Sequence, residues 1–218
     1  MVIAIKKINI RKSINREDLD CTKDALEKAC ELCTTCKASS ELLPHLPDFF
    51  DCLRYPVVAK CALYWIEIIL GTESYFKFNT DQTPLHLALL DEISTNHCLL
   101  HSRIFDLLIS IFERSFKELE DLVQLELKKT VVDRMIHLTT CDYVVPVLKY
   151  IVSKWKSKDT DLSLIRHFIA EFFDVIDLPL SKQIIENFKP LLKDEDLIGT
   201  IQRHAATKVL AEFMAETN

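Results

Sequence analysis

The chain has 218 residues, 49% hydrophobic and 28% charged, which suits a globular protein with ample length for a core. No apolar run approaches the 18 or more residues of a membrane span; the longest, ALYWIEIIL, is cut by Glu67, so no membrane partner is expected. The net charge of −6 argues against a surface that coats nucleic acid throughout.

The charge is unevenly placed. Residues 1–16 carry Lys6, Lys7, Arg11, Lys12 and Arg16 with no acid, a charge of +5, while the other residues hold 22 basic and 33 acidic side chains, −11. This reads as a basic N-terminal arm, 1–16, on a single acidic domain, 17–218. The opening MVIAIKK is too short for a signal peptide, and its charges follow its apolar residues. The eight cysteines are therefore expected to be reduced and intracellular.

Helix signals follow one another along the chain. A cap at Ser13 or Asn15 precedes a helix from Arg16 to about Lys37. A shorter one runs from about Ser40 to Arg54, its first turns irregular at Pro44 and Pro47. Pro56 opens a strongly apolar helix ending at Gly71. Thr83 as cap and Pro84 as first helical residue start one that ends near His97. Ser102 caps the next, to about Lys117. Asp121 to Thr140 follows, then Asp142 to Ser157 with Pro146 in its first turns. Thr160 caps TDLSLIRHFIAEFFDVID, Ser181 caps SKQIIENFKPLLK, and a last helix covers about Ala205 to Glu216.

Roughly ten helices with short connections define an all-α protein with antiparallel neighbours. YVVPVLKYIVSKW loosely echoes YPVVAKCALYWIEI, which favours a HEAT-like stack of helix pairs; a globular bundle is the alternative. TPLHLA at Thr83–Ala88 matches an ankyrin signature, but nothing similar stands one period of about 33 residues away, and the chain has only Gly71 and Gly199 for turns. The ankyrin reading is rejected.

Chemical motifs are sparse. Cys30, Cys33 and Cys36 have thiolate-ligand spacing, but Ser40 stands where an iron–sulfur run needs its fourth cysteine. On a helix they form one stripe of small apolar residues, so no metal and no cofactor is expected. His86 with Asp91 and Glu92 has no accompanying nucleophile, and a structural histidine is expected. Lys128 and Lys129 sit among i,i+3 and i,i+4 partners such as Glu126 and Asp133, the pattern of a solvated face. With two isolated glycines no phosphate-cradling loop can form, and an enzyme reading has no support.

Longer phrases carry a resemblance. SYFKFNTDQTPLHLALLDEIS, LVQLELKKTVVDRMIHL, TDLSLIRHF and PLLKDEDLIGTI, with RYPVVA and KKINIRKSINREDL, resemble the trihydrophobin family in register from about Lys6 to the end. That family is the C/D component, NELF-C/D, of the negative elongation factor (NELF) complex. The resemblance covers the family's C-terminal portion, so a fragment or a short relative is expected. It implies an all-helical HEAT-like horseshoe. It also implies a non-enzymatic scaffold in a nuclear complex that, with the DSIF factor, holds RNA polymerase II in promoter-proximal pausing. Implied partners are NELF-A, bound tightly, then NELF-B and NELF-E, and single-stranded RNA through basic patches. Lys6, Lys7 and Arg11 match one such patch, Lys12 adds a charge and Arg16 matches another basic position, which makes these five the candidate nucleic-acid residues. Asp20 and Asp24 stand where family members tend to be basic. A single-stranded RNA-binding module acting through the arm is the alternative function. Val2, Ile3, Ile5, Ile8 and Ile10 read as the remnant of packing against upstream helices of a solenoid, so the isolated chain is expected to self-associate or to gain stability from a partner.

Overall fold

The computed structural model describes residues 16–35, 39–72, 74–78, 84–157, 160–176, 181–191, 194, 196–197 and 199. Among the described residues every regular element is a helix, as the sequence predicts. The chain divides into two compact units at residue 65.

In the first unit, α1 (Arg16–Thr35) is followed by α2 (Ser39–Leu42), a 3-10 turn at Leu43–His45, α3 (Leu46–Leu53) and α4 (Pro56–Gly71), within which the division falls. The irregular turns expected at Pro44 and Pro47 are that 3-10 turn and the first turn of α3. A proline there forfeits an N–H that has no intrahelical partner anyway. α1 packs on α3, burying Leu26 and Ala29 from one side and Phe49, Cys52 and Leu53 from the other. A surface ion pair, Lys28 Nζ to Asp48 Oδ2 at 3.1 Å, crosses the same contact.

In the second unit, α5 (Tyr75–Phe78), α6 (Leu85–Asn96), a 3-10 turn at Cys98–Leu100, α7 (His101–Glu113), α8 (Asp121–Thr140), α9 (Val144–Ser157), α10 (Leu162–Val175) and α11 (Lys182–Phe188) follow. α8 is the hub, packed by α6, α7, α9 and α10, while α11 packs on α9. Being covered from several directions, α8 buries residues at Leu127, Val131, Val132, Met135, Ile136 and Leu138, which do not keep to one stripe. A single-faced amphipathic helix cannot fill such a position. α10 and α11 share an aromatic cluster: Phe172 stacks on Phe168 and on Phe188, with centroids 5.5 and 5.6 Å apart. All three rings are fully buried.

The turn from α8 to α9 takes three residues. Asp142 adopts φ 67°, and Tyr143 N–H donates to the Leu138 carbonyl at 3.0 Å. Asp is among the few non-glycine residues that tolerate this left-handed conformation.

Several boundaries differ from expectation. Pro84 is the extended residue before α6, at φ −55° and ψ 132°, rather than its first helical residue; Thr83 lies outside the described residues. The 3-10 turn moves the start of α7 to His101, so Ser102 sits inside the first turn, and α7 ends at Glu113. Asp161, not Thr160, caps α10, its carboxylate accepting from Ser163 N–H at 2.7 Å. Hydrogen bonding from Ser163, its side chain first and its backbone N–H second, holds the Asp161 carboxyl below its ordinary pKa. The Ser181 cap is as expected, accepting from Ile184 N–H at 3.3 Å. The helix expected at Ala205 to Glu216 lies outside the described residues.

Candidate functional surfaces

Of the five candidate nucleic-acid residues, Lys6, Lys7, Arg11 and Lys12 lie outside the described residues, and Arg16 opens α1. The polar side chains that the structure does bring together are in the second unit, and they join helices. Arg134 of α8 donates to Asp91 of α6 at 2.5 Å, with both side chains about three-quarters or more buried. Burial pushes the Asp91 carboxyl up, against the opposing pull of Arg134 and His137. His137 Nε2 lies 3.2 Å from Thr95 Oγ1 and 3.3 Å from the Asp91 carbonyl. On another side of α8, Asp133 meets His167 Nε2 of α10 at 2.5 Å. Asp133 therefore turns to α10 rather than to the i,i+4 lysine on its own helix. Glu67 of α4 and Arg103 of α7 form a two-pronged pair.

His86 lies in the first turn of α6. It is buried, and its Nδ1 is hydrogen-bonded to the Tyr75 hydroxyl at 2.7 Å. Burial lowers its pKa to about 4, so it is a neutral ring at neutral pH. The structural histidine expected from the sequence is what is found, with a side-chain partner on a neighbouring element.

Two clefts open on these frameworks. In the first unit, one of about 320 Å³ is lined by Leu26, Cys30 and Cys33 of α1, Phe49 of α3, and Cys61 and Trp65 of α4, among others. The spacing of 26, 30 and 33 makes a continuous stripe on α1, so these cysteines line an apolar surface; Cys36 lies outside the described residues. Burial raises the Cys30 thiol above its ordinary pKa, and Cys61 adds to the effect. In the second unit, a cleft of about 610 Å³ is lined by Phe112, Leu122, Lys128, Lys154 and Asp161, among others. Lys154 Nζ bonds Glu113 at 2.6 Å, and Lys128 Nζ lies 5.7 Å from the Phe112 ring centre. Leu122 stands 69% exposed on its rim.

What this geometry defines is an all-helical protein whose partly buried charges tie one helix to the next, with one apolar and one mixed, charge-lined cleft at the surface. A family model described as TH1 protein matches residues 1–218, and the chain belongs to that family. It is 42% identical over 215 residues to negative elongation factor D of Sus scrofa, and equally so to negative elongation factor D of Mus musculus. Each match covers 98% of this chain and 36% of the relative, so the chain spans little more than a third of the length of these curated proteins. No signal in the sequence alone points to Arg134–Asp91 or Asp133–His167, because each pair joins residues 34 or more positions apart.

Proposed function

We propose that this chain is a non-enzymatic scaffold component of the negative elongation factor complex, acting in the nucleus to help hold RNA polymerase II in promoter-proximal pausing. The observation that carries the reading is 42% identity, across 98% of the chain, to proteins named negative elongation factor D. In this reading NELF-A is the tight partner, NELF-B and NELF-E are its neighbours, and polymerase with DSIF is the target. A HEAT-like arrangement of the helices suits such a role, because stacked helix pairs present an extended surface. The test is co-expression with NELF-A of the same organism, followed by a tagged pull-down and by mapping of engaged polymerase after depletion of the chain. Retention of NELF-A and loss of promoter-proximal polymerase are expected. No retention of NELF-A, NELF-B or NELF-E would overturn the assignment.

A second reading rests on the concentration of +5 in residues 1–16. The basic arm then binds single-stranded RNA through Lys6, Lys7, Arg11, Lys12 and Arg16. The two readings separate by salt: arm-dominated RNA binding weakens steeply as salt rises, whereas assembly through apolar surfaces does not.

A further inference from the structure

Three thiols of the first unit face one cleft. Cys30 and Cys33 of α1 and Cys61 of α4 line its apolar space of about 320 Å³, and all three are half-buried. We propose that Cys30 and Cys61 form a redox pair, which a peroxide oxidises to a disulfide that fixes α1 to the part of α4 within this unit.

Position on the helices comes first. α1 lends Leu26, Ala29, Cys30 and Cys33 to the cleft, and α4 lends Val58, Cys61, Ala62 and Trp65. Both sets follow the i, i+3, i+4, i+7 pattern of a single helix face. Cys30 and Cys61 each stand in the middle turn of their stripe. They are therefore opposite each other whether the two helices run parallel or antiparallel. Cys33 ends its stripe, about 4.5 Å further along the axis. The charge of Cys61 is felt at the Cys30 thiol, in keeping with this placement.

Room comes second. A disulfide needs Cα atoms roughly 4.4–6.8 Å apart, so the two helices have to come close at this turn. The other residue of each middle turn is an alanine, Ala29 or Ala62, and its small side chain permits the approach. Closing the cleft takes its apolar walls out of water, which favours the same movement. α1 rests mainly on α3, so the bond adds a second tie.

Chemistry comes third. Burial holds the Cys30 thiol protonated, so Cys61 reacts first. Its sulfur takes an oxygen from hydrogen peroxide, giving a sulfenic acid and one water. The Cys30 sulfur then attacks that sulfur, and its proton leaves with the hydroxide as a second water. Two thiols lose two electrons and two protons, and one peroxide becomes two waters. In a reducing compartment such a bond is a transient switch rather than a permanent staple.

The experiment treats the reduced full chain with one equivalent of hydrogen peroxide, caps the remaining thiols with a maleimide and maps the peptides by mass spectrometry. One disulfide joining Cys30 to Cys61 is expected, with the exposed Cys21 and Cys98 still capped. In a Trp155→Phe background Trp65 is the only tryptophan, and its emission should shift to the blue as the cleft closes. The urea midpoint that it reports should rise on oxidation, because the bond restricts the unfolded chain, and fall back with dithiothreitol. Cys30→Ala and Cys61→Ala should each abolish both changes. Should these variants fail to fold, the double variant Cys21→Ser, Cys98→Ser carries the test: it keeps the pair, loses the exposed competitors and should form the same bond at the wild-type rate. A bond between Cys61 and any other thiol would overturn the proposal. So would oxidation of Cys21 or Cys98 ahead of the pair, or a yield that rises with protein concentration, which marks a bond between two copies.

Discussion

The Tyr75 hydroxyl and the His86 imidazole meet at 2.7 Å inside the second unit, joining α5 to α6 with their rings nearly perpendicular. The pair ties the short helix α5, which the sequence signals do not reveal, to a helix they do.

Burial of His86 makes stability depend on pH. Its folded pKa of about 4 lies below the unfolded value of 6.5, so the unfolded chain binds the extra proton first. The contribution is whole above pH 6.5 and is lost as pH falls towards 4. It amounts to about 2 kcal/mol lost by pH 5 and about 3 by pH 4. Urea unfolding from pH 7.5 to 4.5 should show that loss in the wild type and a much flatter profile in His86→Gln. Parallel profiles would refute the assignment.

Arg134→Met should destabilise the second unit by about 3 kcal/mol, because it leaves the Asp91 carboxyl buried without its partner. The double variant Asp91→Leu, Arg134→Met should recover at least half of that loss. A double-mutant cycle by chemical denaturation measures the coupling; strictly additive costs would mean that the two residues do not depend on each other.

Phe172 touches Phe168, Phe173 and Phe188 and is fully buried. Phe172→Ala should cost about 3–5 kcal/mol, and Phe172→Leu distinctly less. The denaturation midpoint reports both. An alanine cost below about 1 kcal/mol would show that the cluster collapses around the gap.

Replacing Lys6, Lys7, Arg11 and Lys12 by glutamine should weaken RNA binding alike for all sequences. It should also flatten the dependence of log affinity on log salt by up to about 3 on a single strand. Superimposable wild-type and mutant slopes would remove the arm from the nucleic-acid interface.

The fold is legible where local signals suffice. Asp121 to Thr140 is delimited by residues that favour and oppose helix within the segment itself, and its bounds match. The Thr160–Asp161 step is ambiguous in sequence because both residues are good caps, and only the backbone geometry that brings Ser163 N–H to the Asp161 carboxylate decides between them. α5 is one turn of Tyr-Phe-Lys-Phe, too short to show a period. The ties that hold α8, from Asp91 to Arg134 and from Asp133 to His167, are invisible for a different reason. Each half looks like an ordinary surface charge until the tertiary fold places the other beside it.

The central place of α8 has a consequence for synthesis. Asp133 leaves the ribosome 34 residues before its partner His167, so at about 5–20 residues per second the helix waits about 2–7 s for α10. During that interval the side of α8 that meets α10 has no cover, and isolated helices without tertiary packing are marginal in water. A chaperone has its opportunity in this window. A chain cut after Ser157 carries the bare face permanently, which makes it a target for degradation rather than a smaller working protein.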